Sequence, residues 1–235
     1  LPQQQALAQA KQVITIGGDG TLLRIAHDCL AQSKPVLGVN LGRIGFLATC
    51  EVAELPEKLA RLAAGRYTIE PRNLLRADAP AHNWHQVAMN DVVLFGNSRL
   101  HPMDYTVYCD GAFVSRYRSD GVIIATPTGS TAYSLSAGGP VVEPTASLIV
   151  ITPICSHALN TSSVVLSAED DVEVEICEGR YGRQEKVALC YDGAVQRQLV
   201  SGDRVKIRKS DAKAHLVKLS EESFMITMRE KMKGN

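Results

Sequence analysis

An α/β domain followed by a mostly β domain is the fold this chain predicts, and three observations carry the prediction. Strand-like and helix-like segments alternate as far as residue 70, strand follows strand from Pro71 onward, and each half holds one glycine-rich loop at the exit of an apolar strand. In the first half, residues 13–16 read as a strand and 36–39 as a second one. Residues 22–32 read as a helix with apolar Leu22, Leu23, Ile25, Ala26 and Leu30, and 55–62 as another. Short connections in this β-α-β-α order suit a parallel sheet.

In the second half, strands are expected over 87–95, 104–109, 112–117, 122–125, 148–152, 172–176, 187–191 and 204–208. The alternation from Val172 to Ile176 and from Val205 to Ile207 marks half-exposed strands, and Asp110-Gly111 and Asp192-Gly193 are hairpin signals. The expected division is an α/β domain over 1–70 and a β-rich domain over 71–211. A C-terminal segment, 212–235, is expected to return to the first domain, because residues 220–233 mix Phe224, Met225, Ile226 and Met228 with charges. The chain opens without Met, in what reads as the middle of a connection or helix, so upstream residues are expected in the native protein.

Composition narrows the function classes. Lys plus Arg and Asp plus Glu both number 25, so no global field favours nucleic acid or an acidic membrane. No apolar run approaches the roughly 20 residues that span a bilayer, and no secretory signal is visible. Six cysteines stand apart without a C-x-x-C pair, which suits reduced thiols and a cytoplasmic protein better than a disulfide framework or a zinc site. His27, His82, His85, His157 and His215 form no metal-ligand spacing and read as structural or solvent-facing.

The first loop, Gly17-Gly18-Asp19-Gly20-Thr21, follows the apolar 13–16 strand and leads into a helix. Backbone N–H groups at such a strand-turn-helix junction can face an anion, and glycine lets a phosphate approach the main chain. Asp19 repels phosphate, so it needs another reason to be there: a metal to hold, a hydroxyl proton to accept, or simply a helix to cap. The second loop runs from Ser119-Asp120-Gly121 through an apolar strand into Thr126-Pro127-Thr128-Gly129-Ser130-Thr131-Ala132-Tyr133-Ser134-Leu135-Ser136-Ala137-Gly138-Gly139-Pro140. Its small hydroxyl residues offer donors and close backbone approach to a polar ligand, or else a tight connection within a sandwich. No Lys follows the glycine, so it is not a Walker loop. Asp120 could orient a ribose or an amide. The third element is Asn90-Asp91 inside an otherwise apolar strand, where polar side chains must be paired or exposed in a cleft, or mark a bulge.

Together, Gly-Gly-Asp-Gly-Thr at 17–21, Asn90-Asp91 and the long run at 126–140 resemble the signature set of bacterial NAD kinases, in order and spacing, over nearly the whole chain. The glycine loop alone is shared with lipid kinases and phosphofructokinases; the long hydroxyl run is far more specific. The resemblance implies a Rossmann-like (phosphofructokinase-like) α/β domain, a β-sandwich domain, homodimers or tetramers, and a cytoplasmic home. The implied reaction moves a phosphoryl group from ATP, or from polyphosphate in some members, to the adenosine 2′-hydroxyl of NAD, with Mg²⁺ as the divalent cation.

By the same resemblance, Asp19 accepts the 2′-hydroxyl proton or holds the metal; a carboxylate titrating near 4 is a weak base that needs such help. Gly17, Gly18, Gly20 and Thr21 would cradle phosphates, with Arg24 adding charge one turn on. Asp19, Gly20 and Arg24 also count among the NAD-binding residues. Asn90 and Asp91 would bind the adenosine and its ribose, with Asp91 shorter than the Glu common in the family. Asp120 would bond the nicotinamide end beside Arg118. Thr131, Ala132, Tyr133 and Ser136 would line the dinucleotide, with Tyr133 packed on a ring. His101 falls near phosphate, and Cys155 at a position touching NAD across a subunit contact. Asp192 falls in a late Asp-Gly-Gln stretch whose third residue here is Ala194, so any contact from that glutamine is lost or moved. Two other readings stand beside this one: a lipid or sugar kinase sharing only the first loop, and a catalytically silent NAD-binding sensor.

Overall fold

The computed structural model describes residues 3–42, 45–97, 101–158, 162–219 and 224–232. The chain divides into two compact units, one made of Leu1–Arg72 with Ala212–Asn235 and the other of Asn73–Asp211.

The first unit opens with helix α1 (Gln3–Gln9) and strand β1 (Val13–Ile16). Helix α2 (Asp19–Cys29) then crosses to β2 (Val36–Asn40), which runs parallel to β1 with Val13 opposite Val36 and Ile16 opposite Val39. That is the β-α-β device by which two parallel strands are joined. The buried face of α2 is Leu22, Leu23, Ala26 and Cys29, a helical spacing. It sits so close to β2 that a Cβ on Gly38 would come within 2.5 Å of the Leu22 side chain and 2.8 Å of the Ala48 backbone. The short strand β3 (Cys50–Glu51) extends the row beside β2, and helix α3 (Leu55–Ala63) follows. Lys58 is buried on α3 and pairs with Glu54 at 2.7 Å.

The second unit begins within strand β4 (Thr68–Ala79), which forms a hairpin with β5 (Trp84–Ala88). Then come β6 (Asp91–Gly96), β7 (Met103–Cys109), β8 (Ala112–Ser119) and β9 (Gly121–Ala125). A one-turn helix α4 (Tyr133–Ser136) precedes β10 (Leu148–Ile154), β11 (Val164–Ser167), β12 (Val172–Ile176), β13 (Lys186–Tyr191) and β14 (Ala194–Val200). Strand β15 (Arg204–Lys218) leaves this unit for the first, where Leu216 lies parallel to Val36, and helix α5 (Phe224–Met232) ends the described chain.

Among the described residues, β11-β10-β9-β6-β13-β14 form one six-stranded sheet, and β15-β12-β7-β8 run antiparallel within a second. Val92, Leu94, Val122 and Ile124 from the first meet Tyr105, Val107, Val172, Val174, Val205 and Ile207 from the second in one core. The opposite face of the six-stranded sheet, Val93, Ile123, Ala125 and Val150, is covered by Val142, Ala137 and Ala146 of the 126–147 segment. Burial on both faces explains why β9 reads as an unbroken apolar run.

Several expected boundaries move. The helix expected at 22–32 starts at Asp19, because Gly18 takes the extended N-cap conformation, and ends at Cys29 before one 3-10 turn. The strand expected over 87–95 is broken at Met89 and Asn90 into β5 and β6. The strand expected at 204–208 runs on to Lys218. Strands β4, β11 and β14 were not expected; β4 carries Pro71, Arg72, Arg76 and Asp78, a composition that argues against a strand until its partners are known. Of the 220–233 segment, 220–223 and 233 lie outside the described residues.

Candidate active site

In the first unit the glycine loop is held at both ends. The Gly17 N–H donates to the Val39 carbonyl at 2.8 Å, and the Thr21 N–H donates to the Gly18 carbonyl at 3.0 Å. Gly17 has φ +154°, and a Cβ there would sit 2.6 Å from Thr21 Oγ1, so this position requires glycine. Beside Gly18 and Gly20 a Cβ would meet nothing within 4 Å, so their backbone faces open space at the start of a helix. That combination of bare backbone at Gly18 and Gly20 and the positive end of the α2 dipole suits an anion. Arg24 is exposed on α2, one turn on.

Asp19 is the first residue of α2, and it does not cap that helix. Its carboxylate turns to the segment before β3 and accepts three consecutive backbone N–H bonds, from Phe46 (2.8 Å), Leu47 (3.2 Å) and Ala48 (2.9 Å). Gly45 is packed on the same carboxylate, and a Cβ on it would overlap Asp19 Oδ1. Phe46 in turn lies 6.1 Å, centroid to centroid, from Phe224 of α5. Asp19 therefore fixes a loop with its own charge while remaining only half-buried.

In the second unit the break between β5 and β6 has a direct cause. The Asp192 carboxylate accepts the backbone N–H groups of Met89 (2.8 Å), Asn90 (2.7 Å) and Asp91 (3.1 Å). The carbonyls of Met89 and Asn90 go the other way, to Thr126: its hydroxyl donates to Met89 at 2.6 Å and its N–H to Asn90 at 2.9 Å. Gly129 closes onto the same place, since a Cβ there would overlap the Asn90 carbonyl. Asp192 occupies the first position of an Asp-Gly hairpin turn, with φ +45° and Gly193 at φ +80°. Sequence reading found the turn and not its partner, because nothing local in the chain ties residue 192 to residue 90.

Asp91 is 4 % exposed. Burial, and after it the charge of Asp192, pushes its carboxyl up to about 7. Burial, with Asp91 adding to it, also raises the Cys190 thiol.

Four hydroxyls of the 126–140 run, those of Thr126, Ser130, Thr131 and Ser134, are spent on the protein's own groups, where the sequence leaves open whether they face a ligand or hold a tight connection. Ser130 donates to the Pro127 carbonyl at 2.7 Å and accepts from Val142 N–H at 3.0 Å; Ser134 pairs with Thr152 at 3.0 Å; Thr131 donates to the Thr128 carbonyl at 3.2 Å. Thr126, Thr128, Ser130 and Ser134 are buried, while Thr131 and Ala132 are half-buried and Tyr133 and Ser136 are exposed, Tyr133 at 42 %. The loop thus presents one strip outward and uses the other to hold itself.

The far end of β9 carries the remaining residues. Asp120 donates its N–H to the Ile154 carbonyl at 3.0 Å, and His157 donates its N–H to the Arg118 carbonyl at 3.0 Å. Arg118 pairs with Asp104 at 3.6 Å. Cys155, exposed and at φ +48°, therefore sits beside Arg118 and Asp120. Asp91 is opposite Ala125 and Phe95 opposite Gly121, so Asp91 and Asp120 mark the two ends of β9. Five residue steps separate Ala125 from Asp120, about 17 Å. Tyr133 opens α4, which packs against β9, and the pKa of its hydroxyl is raised by burial first, then by the charges of Cys155, Asp120 and Asp91.

His101 is exposed and is not brought to any of these residues by a described contact. His82 pairs with Asp203 at 2.9 Å. Among the described residues, one group has metal-like proximity, Cys109, Asp110 and Asp170, but both carboxylates already accept N–H bonds, from Asp171 and Ser167. A cavity of about 530 Å³ lies at the same Asp110-Gly111 turn, lined by Asp78, Asp171, Glu173, Lys206 and Arg208 and by none of the expected site residues. Among the described residues no helix is long and apolar enough to cross a membrane.

Comparison with known proteins gives one answer. Residues 3–67 match the family model of the ATP-NAD kinase N-terminal domain, and residues 89–219 that of the ATP-NAD kinase C-terminal domain. The NAD kinase of Lachnoclostridium phytofermentans is 41% identical over 223 residues, covering 93% of this chain and 78% of that protein. The NAD kinase of Agathobacter rectalis is 39% identical over 223 residues, covering 95% of this chain and 78% of its own. Among solved structures, yeast NADH kinase complexed with NADH superposes with a TM-score of 0.88 at 31% identity, over 100% of this chain and 69% of that one. An NAD kinase from Archaeoglobus fulgidus in complex with ATP does so with a TM-score of 0.81 at 27% identity, over 99% and 86%.

Proposed function

The chain belongs to the NAD kinase family, and from that premise we infer the residue roles by which it phosphorylates the adenosine 2′-hydroxyl of NAD to give NADP, with ATP as donor. The observation that carries these roles is that Asn90-Asp91 and Asp120 stand at opposite ends of β9, about 17 Å apart, a separation suited to a dinucleotide, with the exposed Tyr133 on α4, which packs against that strand. Asn90 and Asp91 hold the adenosine ribose, Thr131, Ala132, Tyr133 and Ser136 line the path, and Asp120 with Arg118 takes the nicotinamide end. Cys155 lies at that end, and His101 and Arg24 are assigned to phosphate on resemblance alone.

In the glycine loop, Gly17, Gly18, Gly20 and Thr21 cradle phosphate: Gly18 and Gly20 offer their backbone N–H groups, while Gly17 and Thr21, whose N–H groups are spent on the Val39 and Gly18 carbonyls, shape the loop around it. Asp19 accepts the proton of the 2′-hydroxyl. Its three amide bonds hold the carboxylate in one orientation before substrate arrives, and that pre-positioning favours in-line transfer. Mg²⁺ supplies charge neutralisation on the transferring phosphates. Both Asp19 oxygens already accept N–H bonds, so the donor set around it fits a cation delivered on the ATP phosphates and gives no support to a resident protein-bound ion.

The parallel β1-β2-β3 row with α2 crossing over it supports a Rossmann-like, phosphofructokinase-like reading of the first unit. Leu216 beside Val36, and Phe224 beside Phe46, support a C-terminal segment that packs back onto it. Self-association into dimers or tetramers and a cytoplasmic location complete the proposal, the latter supported by six free thiols.

The test is NADP formation from NAD, ATP and Mg²⁺, read with an NADP-specific dehydrogenase, with Asp19→Asn alongside. Product from the parent and almost none from the variant supports the assignment. Equal product from both removes Asp19 as proton acceptor, and NAD binding without product from either indicates a silent sensor.

A further inference from the structure

The kink at residues 89–91 takes its shape from a group to which the reaction scheme gives no task. In a strand, successive N–H groups point to opposite sides, so three consecutive ones cannot meet a single acceptor. Here those of Met89, Asn90 and Asp91 all converge on the Asp192 carboxylate, within 2.7–3.1 Å. The arrangement is a backbone nest closed around an anion, and the anion is a side chain of this chain. Asp192 is itself anchored: its own N–H donates to the Asp91 carbonyl at 3.0 Å, and Tyr191 pairs with Val92 in the β13-β6 ladder. On the opposite side the Met89 and Asn90 carbonyls are tied to Thr126. The backbone that carries Asn90 and Asp91 is therefore gripped from the β13-β14 turn and from the 126–140 loop together.

We propose that Asp192 is a positioning residue for NAD: by gathering three amides it sets the Asn90 and Asp91 side chains at the angle the dinucleotide needs, without touching the dinucleotide itself. This rests on the reading of Asn90-Asp91 as dinucleotide-binding. The negative charge of Asp192 also bears on Asp91, whose other titratable neighbours are Cys190 on β13 and Tyr133 on α4.

The test compares steady-state kinetics and calorimetric NAD binding of the full chain with Asp192→Asn, Asp192→Glu and Asp110→Asn. Asp110 starts the other Asp-Gly hairpin, where its carboxylate accepts one N–H, that of Asp171. Asp192→Asn is expected to raise the KM and Kd for NAD at least about tenfold, the loss of one charge-assisted bond, with the KM for ATP within about twofold. It also moves the pH dependence of kcat/KM for NAD to lower pH, because a like charge beside Asp91 is gone. Asp110→Asn leaves the NAD constants at their original values whatever it does to the melting temperature. If Asp192→Asn does not fold, Asp192→Glu is decisive in its place: it keeps the charge and displaces the nest by one methylene, so a raised KM for NAD supports the proposal. A fall in kcat at unchanged NAD affinity, in whichever variant folds, overturns it. An unmodified chain that neither binds NAD nor forms NADP overturns the site reading and the proposal with it, whereas unchanged affinity in an active protein overturns the proposal alone.

Discussion

The carbonyl oxygen of Asn90 occupies the place where a Cβ on residue 129 would stand, so Gly129 and Asn90 meet backbone to backbone. Neither atom belongs to a flexible side chain, and neither can swing aside. Gly129→Ala is expected to destabilise the protein by about 3 kcal/mol through overpacking and to displace the Asn90-Asp91 turn. Thermal melting and NAD calorimetry check it; a variant that melts and binds like the parent would show that the two segments separate readily.

Asp91 makes stability depend on pH. Its carboxyl holds a proton up to about pH 7 in the folded chain, whereas the unfolded chain releases it near 4. Between those values the folded state binds more protons, so this residue's contribution to stability falls by up to about 1.4 kcal/mol per pH unit as pH rises and is flat above 7. Asp91→Asn removes the effect. The melting temperature of the variant relative to the parent should therefore be higher at pH 8 than at pH 5, and a difference that does not change with pH would refute the assignment.

Asp19 and Gly45 test the catalytic loop from two sides. Asp19→Asn should lower turnover by about a hundredfold or more while NAD still binds. Gly45→Ala leaves the carboxylate in the chain but forces it out of its cradle, since the new methyl overlaps Asp19 Oδ1. It should lower kcat with little change in NAD affinity. Normal kcat in the Gly45 variant would mean that the three-amide cradle is irrelevant to the chemistry.

Tyr133 is exposed on α4, which packs against β9, and this suits a ring that stacks on a base. Tyr133→Ala is expected to weaken NAD binding by roughly tenfold and leave the KM for ATP unchanged. Tyr133→Phe keeps the ring and should bind within about twofold of the parent. If Phe binds as weakly as Ala, the hydroxyl matters and the ring does not.

The parts of the fold that were legible in the sequence are those where local chemistry and tertiary surroundings agree. Strand β9 is apolar on both faces because both faces are buried, and the two Asp-Gly turns adopt the positive φ values that their composition favours. Strand β4 was illegible because its Pro71, Arg72, Arg76 and Asp78 lower strand propensity, and pairing with β5 overrides that preference. At the site, Asp19, Asn90-Asp91 and the hydroxyl run stood out as residue types in unusual places. Asp192 did not, because its role is a contact across about a hundred residues of sequence, visible only once β13 lies beside β6. The internal use of Thr126, Ser130 and Ser134 was likewise hidden, since a hydroxyl that bonds the protein's own groups and one that faces a ligand are spelled the same way.

The division of the chain also orders events during synthesis. Residues 73–211 form their unit from one unbroken stretch, whereas the core of Leu37, Val39, Cys50 and Leu62 is closed by Val217 and Leu219. The glycine loop leaves the ribosome well before β15, yet the unit that supports it lacks part of its interior until β15 has emerged. The second unit can fold on the way, as contiguous domains do. The core behind the glycine loop therefore stays open until the residues that close it, Val217 and Leu219, have been made.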